Sequence, residues 1–568
     1  MTATSVIFIT RFILPVLAIW VICRCLRSML SEKYEPETWG HLIFPDTSAA
    51  PLPHWECLIG RSKTADIVVN SADISRLHAV LIRNDKGVWR IYDMATRGGV
   101  FVNGERVPFK GLIVQNGDRI RLSSVTLGFA DLTESELRTI SDHRTSAGAF
   151  INPGATLLIL SLFQALVALQ YSFTASDTYL TVTCLSFFAL LAIEWACYLI
   201  MRSVRRTGFE VETLAFFLCT LGLSVVATSE PEELVKTVIL TMVGVVLFFL
   251  MGWWLRDLRR AKFLRWPATV AAVGLLCINL VLSEYVFGAK NWLYIGGFSL
   301  QPSELVKVLY IYAGAASLDR LFARRNLLLF IGFSALCVIA LALMGDYGAA
   351  MIFFVTFLVI SYMRSGSIAT VFLAVSGAAM AGFLVFTIKP YIAQRFATWG
   401  HVWADPYGAG YQQTRTLAAA ASGGLFGHGA GQGWLKNIVA ANTDMVFGVI
   451  CEEFGLLIAV SAVLSILILA LFAFRSAAHG RSTYYVIAAC AAASLMVAQL
   501  SLNVFGSLDI LPFTGVTFPF VSKGGTSLLS CWMLLAFIKA ADTRKNASFV
   551  VKSADSQFKR NKNRGAEA

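Results

Sequence analysis

The sequence predicts a polytopic α-helical membrane protein carrying a small inserted β-sandwich. Three observations lead there. Hydrophobic residues make up 57% of the 568 residues and charged residues 14%, against about 25% charged in soluble domains. Apolar runs of about 20 residues, enough to cross a bilayer, recur from residue 150 onwards. Between a first apolar segment and that series stands a polar stretch, residues 40–133, whose hydrophobicity alternates with period two.

Residues 1–30 hold one apolar run with Arg11 inside it and Arg24 and Arg27 behind it. No small-residue cleavage site follows, so the segment is expected to stay as an anchor helix. In residues 40–133, alternating segments such as Trp89–Met94 and Val100–Val107 are broken by the turn pairs Asn103-Gly104 and Asn116-Gly117, the pattern of antiparallel strands. Residues 134–150 are polar and read as a linker. About twelve apolar spans then follow: 151–172 and 178–201 within an extra two-helix segment (151–206), then 209–229, 234–255, 265–286, 303–319, 326–344, 347–363, 368–388, 446–474, 485–507 and 524–541. With the anchor, about thirteen crossings are expected. The basic segment 543–568 reads as a solvated tail.

The cations fix an orientation. Arg202, Arg205 and Arg206 share one loop; Arg256, Arg259, Arg260, Lys262 and Arg265 share another. Arg320, Arg324 and Arg325, then Arg364, then Arg475 and Arg481, then Arg544 and Lys545 fill alternate loops further on. All of them face the cytoplasm in one topology. It places the β-sandwich and the tail inside and the long loop 389–445 outside. The net charge of +12 is therefore a membrane-topology signal and not a nucleic-acid footprint. The eleven cysteines form neither a CxxC pair nor a Cys/His cluster, so they predict no metal site and no disulfide framework.

Within the β-region, Leu58-Ile59-Gly60-Arg61, Asp66-Ile67, Ser75-Arg76-Leu77-His78 and Val102-Asn103-Gly104 occur in the order of the forkhead-associated (FHA) pattern, which the segment resembles. The resemblance implies a cytoplasmic domain whose loops bind a phosphothreonine protein. Arg61 would make charge-assisted contacts to the phosphate, Ser75 and Arg76 would bond its other oxygens, Thr96 would line the pocket, and His78 would buttress the loop. One position departs: Gly98 stands where the family has the Asn that holds the peptide backbone.

From residue 207 to 542 a second resemblance runs through Asn291-Trp292, Gln301-Pro302-Ser303-Glu304-Leu305-Val306-Lys307 and Gly345-Asp346-Tyr347-Gly348. It continues in Asp405-Pro406, Gly410-Tyr411-Gln412, Gly423-Gly424-Leu425-Phe426-Gly427, Thr443-Asp444 and Glu452-Glu453-Phe454-Gly455. Leu511-Pro512, Pro519-Phe520-Val521-Ser522 and Gly524-Gly525-Thr526-Ser527 complete it. In this order the segment resembles the SEDS family, the FtsW/RodA group, and implies its ten-helix core. The family departs here at Asn291, where Arg is common, at Val439-Ala440-Ala441-Asn442, where Pro-Glu and His are usual, and at Lys523, where Tyr is common.

The resemblance implies a peptidoglycan glycosyltransferase of the bacterial cytoplasmic membrane that polymerises lipid II, the undecaprenyl-pyrophosphate-linked disaccharide-pentapeptide, on the outer face. The growing glycan is the donor, a sugar hydroxyl of lipid II the acceptor, and the lipid pyrophosphate the leaving group. A base for the hydroxyl and cations for the leaving group are required. Asp444, at the end of the external loop, is the expected base; an N-cap at the start of the next helix is its structural alternative. Trp292, Glu304, Lys307, Arg395, Gln412, Glu453 and Lys523 are candidate substrate contacts, with Arg415 and Lys436 as further cations. Glu304 and Lys307 lie three apart on one helical face and can pair. No cofactor motif is present, because the glycine run Gly427–Gly433 follows no strand; the pyrophosphate leaves room for a divalent cation. The expected partner is a class B penicillin-binding transpeptidase, since no such domain is fused here. A lipid II flippase and a non-catalytic division or elongation scaffold are the alternative readings.

Overall fold

The computed structural model describes residues 3–542 apart from 32–37, 64, 85–86, 95, 134, 137–150, 205–207, 257, 285–288, 296–297, 318–323, 366–367, 389–395, 479 and 481. Nearly all of the expected linker, the tail and Arg395 lie outside the described residues. The chain opens with α1 (Ala3–Ser31). Eleven strands follow: β1 (His41–Ile43), β2 (Ala49–Pro51), β3 (Glu56–Gly60), β4 (Ile67–Val68), β5 (Ala79–Arg83), β6 (Trp89–Asp93), β7 (Val100–Val102), β8 (Glu105–Arg106), β9 (Leu112–Val114), β10 (Arg119–Leu122) and β11 (Val125–Ala130). They form two sheets, ordered β2-β1-β11-β10-β7-β8 and β4-β3-β5-β6-β9. Alternating side chains from both sheets, among them Leu81, Trp89, Ile91, Ile120 and Phe129, close a separate apolar core. Asn103 and Gly104 take φ of 51° and 90°, the double left-handed geometry of the tight hairpin that their sequence predicts.

The helical part comprises α2 (Pro153–Thr174), α3 (Asp177–Ser203), α4 (Glu210–Ser229), α5 (Leu234–Leu255), the short α6 (Leu258–Phe263), α7 (Arg265–Leu282), a hairpin of β12 (Leu293–Ile295) and β13 (Phe298–Leu300), and α8 (Pro302–Ser317). Then come α9 (Arg324–Leu343), α10 (Tyr347–Ser365), α11 (Ile368–Ile388), α12 (Tyr411–Gly423), α13 (Val446–Phe454), α14 (Leu456–Ala478), α15 (Thr483–Ser507) and α16 (Gly525–Ala540). Eight helices among the described residues are long and apolar enough to cross a membrane, and four further apolar helices are shorter. Local chemistry sets the starts: Asn152 accepts the Gly154 N–H at 3.0 Å and Pro153 opens α2.

One expected span is divided. The stretch 446–474 breaks at Gly455, which has φ of 85° and lies so close to the preceding loop that a Cβ there would sit 2.3 Å from Leu425 O. Only glycine accommodates both demands, so α13 is a separate short helix.

α16 packs on α5, α15 on α8, α10 and α14, and α1 on α2, α4 and α14. α14 begins against Leu425 and ends two residues before Gly480, whose carbonyl accepts from His54 Nδ1 of the β-sandwich at 2.8 Å. Its 23 residues span about 34 Å. The β-sandwich and the loop before α13 therefore lie at opposite ends of the helical bundle.

Candidate active site and phosphopeptide face

Asp444 sits in a turn between the loop and α13, half-buried. Its N–H bonds Ala440 O at 3.0 Å, and Ala440 carries a φ of 66°. The N-cap of α13 is Met445, without a side-chain cap, so the capping alternative for Asp444 does not hold.

Successive peptides of this turn are tied to different elements. Gln412 Nε2, on α12, donates to Val439 O at 3.1 Å. Asn442 O accepts the Lys523 N–H at 2.8 Å, and the Ser522 hydroxyl donates to Thr443 O. Asn503 Nδ2, on α15, donates to Asp444 O at 3.1 Å and to Val516 O at 2.7 Å. The segment after α15 thus lies on the turn, and a Cβ on Gly515 would be 3.2 Å from Asp444 Oδ2. Each tie satisfies a backbone group that has no helical partner, and together they fix the place of the carboxylate.

Glu230 closes the arrangement from the α4–α5 connection. One carboxylate oxygen accepts Asn442 Nδ2 at 2.7 Å, and the other takes the Lys523 ammonium. Burial pushes this carboxyl up, but the hydrogen bonds from Lys523 and Asn442 and the charges of Lys523 and Lys236 outweigh it, and it titrates below its ordinary value. The sequence singled out Lys523 and Asn442 as departures and passed over Glu230. The structure shows the departures are coupled, since both side chains meet on one carboxylate.

A second, fully buried polar cluster lies beside the first. Lys307 Nζ is 2.7 Å from Glu304 Oε1 and 3.3 Å from Gln499 Oε1. Ser530 on α16 donates to Glu304 Oε2 at 3.0 Å. Gln499 Nε2 in turn reaches Thr517 Oγ1 at 2.7 Å. Gln499 and Asn503 are one helical turn apart on α15, so the two clusters grip neighbouring residues of the same segment, Thr517 and Val516.

Other candidates are placed elsewhere. Glu453 and Glu452 hold the loop against the far end of α13: Gly431 N–H and the Thr228 hydroxyl donate to Glu453 Oε2 at 3.0 and 2.9 Å. Trp434 and Leu435 N–H donate to Glu452 at 2.9 and 3.0 Å. Lys436 Nζ donates to Gly431 O at 2.9 Å, and the Arg415 guanidinium lies over the rings of Tyr407 and Tyr411. Trp292 is half-buried just before β12.

In the β-sandwich, Arg61 and Arg76 are exposed and Ser75 is half-buried. Arg61 N–H bonds Ser75 O at 3.0 Å, bringing the two loops together. His78 is buried; its Nδ1 accepts the Ser75 N–H at 3.1 Å, which leaves Nε2 to donate to Gly99 O at 3.2 Å. The Thr96 hydroxyl donates to Asp93 Oδ1 at 2.8 Å. Gly98 faces Ser123 so closely that a Cβ would be 2.6 Å from Ser123 Oγ. His54, which touches the helical bundle, precedes β3, whereas Arg61 follows it, so the Arg61 face is turned away from that contact.

An end-anchored acidic turn on a bundle of apolar helices, joined to a soluble sandwich with an arginine- and serine-bearing loop face, defines a multi-pass membrane protein with an appended recognition domain. A family model for the FtsW/RodA/SpoVE group, described as cell cycle protein, matches residues 210–547, and an FHA domain model matches residues 57–123. The chain belongs to the FtsW/RodA/SpoVE family and carries an FHA domain. It is 30% identical over 320 residues to the peptidoglycan glycosyltransferase RodA of Mycobacterium tuberculosis, covering 52% of this chain and 68% of that one. It is 33% identical over 285 residues to a probable peptidoglycan glycosyltransferase FtsW of Tolumonas auensis, covering 48% and 74%. The crystal structure of Thermus thermophilus rod shape determining protein RodA aligns with 23% identity over 59% of this chain and 97% of that chain, with a TM-score of 0.45.

Proposed function

We propose that this chain is a peptidoglycan glycosyltransferase that polymerises lipid II, with Asp444 as its general base. The carrying observation is that Asp444 leaves the helix cap to Met445 while the turn around it is tied to α12, α15, the 516–523 segment and Glu230. A carboxylate used only for folding needs no such frame, whereas a base must be held in place before its substrate arrives. The acceptor hydroxyl oxygen attacks the anomeric carbon of the donor glycan and its proton passes to Asp444. The bond from that carbon to the pyrophosphate oxygen breaks, and the lipid pyrophosphate departs with the electron pair. Lys523, whose side chain is about a quarter exposed, is the cation placed to meet that leaving charge.

The family names of the relatives support the same chemistry. The basic loops support an orientation with the FHA domain in the cytoplasm and the Asp444 turn outside. Arg61, Ser75 and Arg76 support phosphothreonine recognition. A class B penicillin-binding transpeptidase is the partner that would cross-link the product.

The test is glycan-chain formation from fluorescent lipid II by the purified chain and by Asp444→Asn, each with and without the candidate transpeptidase. Loss of a general base costs about 100-fold or more, so polymer from the wild type and none from the variant is expected. No polymer from a folded wild type beside its partner would hand the function to lipid transport or scaffolding.

A further inference from the structure

The helices that precede the family-matched region at residue 210 pack on the loop that leads into the candidate site. Gln170, near the end of α2, is fully buried. Its Oε1 accepts the Ala430 N–H at 2.9 Å, and its Nε2 donates to Thr10 Oγ1 of α1 at 2.7 Å. Phe12 of α1 packs on Phe426 with ring centroids 4.8 Å apart, and a Cβ on Gly429 would sit 2.5 Å from Ile7 Cγ2. The loop between α12 and α13 is thus gripped from two sides. The Glu452 and Glu453 carboxylates of α13 take the amides of Gly431, Trp434 and Leu435, while α1 and α2 take the preceding residues.

We propose that α1 and α2 are part of the catalytic unit, with Gln170 as the positioning residue that seats the 426–435 loop on α13 and thereby fixes the turn bearing Asp444. This rests on the glycosyltransferase reading above. The Ala430 N–H belongs to no helix or strand, and a buried amide of that kind must find an acceptor. In this chain the acceptor comes from outside the family region. A tether for the FHA domain would need only connectivity. It would not need a buried glutamine satisfied at both ends, one end on α1 and the other on the loop. Asp444 and the carboxylates that receive the loop sit at opposite ends of a single short helix, so a loosened loop displaces the base without touching it.

The test uses the full-length chain with Gln170→Met, which keeps the bulk of the side chain and removes both hydrogen bonds, and Thr10→Val, which leaves the Ala430 bond and removes the link to α1 together with the Thr10 hydroxyl's bonds to Val6 O and Ile7 O. Polymerisation is followed against lipid II concentration, and amide exchange is followed by mass spectrometry. For Gln170→Met we expect kcat to fall about ten-fold with KM within about two-fold. Exchange in 426–435 should quicken while the thermal midpoint stays close to the wild type, with Thr10→Val between the two. Wild-type kcat in Gln170→Met, unchanged exchange in 426–435, or a loss accounted for wholly by a smaller folded fraction would each overturn the proposal. A folded wild type that makes no polymer beside its candidate transpeptidase would overturn the glycosyltransferase reading, and the positioning role with it.

Discussion

Glu230 is the residue on which the candidate site closes, although nothing in Ser229-Glu230-Pro231-Glu232-Glu233 separates it from its acidic neighbours. Its role arises because α4 and α5 bring it to Asn442 and Lys523, more than 200 residues away in the chain. Glu230→Gln should change stability by no more than about 1 kcal/mol, because the pair is partly exposed. It should nevertheless slow polymerisation about ten-fold by loosening the turn. The pH dependence follows from the sign of the shift. A carboxyl lowered by folding stabilises fully above its unfolded value of about 4.3, and that contribution is lost as pH falls through the lower folded value. The difference in thermal midpoint between wild type and Glu230→Gln should therefore hold steady from pH 8 to 5 and shrink progressively as pH falls below about 4.3. A second residue-scale prediction concerns Gly98. Restoring the family's Asn there drives its Cβ into Ser123 and should cost the FHA domain about 1–3 kcal/mol. Gly98→Asn with Ser123→Gly removes the obstacle, and fluorescence anisotropy with a phosphothreonine peptide should show tighter binding than in either parent.

Two elements carry the architecture of the site. α13 is short and set apart by Gly455, so it presents Asp444 at one end and two loop-holding carboxylates at the other. α15 supplies Gln499 and Asn503, which join the Lys307 cluster to the Asp444 turn through adjacent residues. At the other end of the bundle, α4 and α16 are joined by a buried pair: Lys539 Nζ lies 3.1 Å from both oxygens of Glu212 and 2.8 Å from Gly208 O. Removing one partner strands the other charge, so Lys539→Met alone should destabilise the purified chain by about 3–5 kcal/mol. The double variant Lys539→Met with Glu212→Leu should recover most of that loss in the same thermal unfolding measurement, because an apolar pair of similar bulk needs no compensation. Full recovery is not expected, since Gly208 O loses its donor.

On the scale of the whole molecule, the FHA domain and the Asp444 turn occupy opposite ends of the bundle, and α1 runs between them. Its first half touches the loop before α13, while Ser28 near its last turn donates to Glu210 Oε1 at 2.6 Å, at the start of the family core. The proposed orientation is checked by labelling with a membrane-impermeant maleimide in intact cells. Trp403 and Phe109 are both well exposed, so Trp403→Cys should label from outside and Phe109→Cys only after permeabilisation. Labelling in the reverse order would invert the topology read from the basic loops.

Much of this molecule was legible in the sequence because the signals are local. Apolar length marks the helices, period-two alternation marks the sandwich, Asn103-Gly104 marks its hairpin, and the spacing of Glu304 and Lys307 marks an ion pair within one helix. Motif order was enough to single out Asp444, since the residues around it lie close in the chain. The split at Gly455 escaped because an apolar run reads the same whether or not a tight approach by a distant loop interrupts it. Glu230, Asn503 and Gln170 escaped for a related reason: a lone polar residue in or beside an apolar helix does not announce which distant peptide it will satisfy. Gly98 was visible as a departure, but the Ser123 side chain that fills its space was not. The sequence by itself determined what kind of protein this is and which carboxylate to examine. Only the tertiary structure decided what holds that carboxylate in place, because backbone groups outside helices and strands must find partners wherever the packing of the bundle brings them.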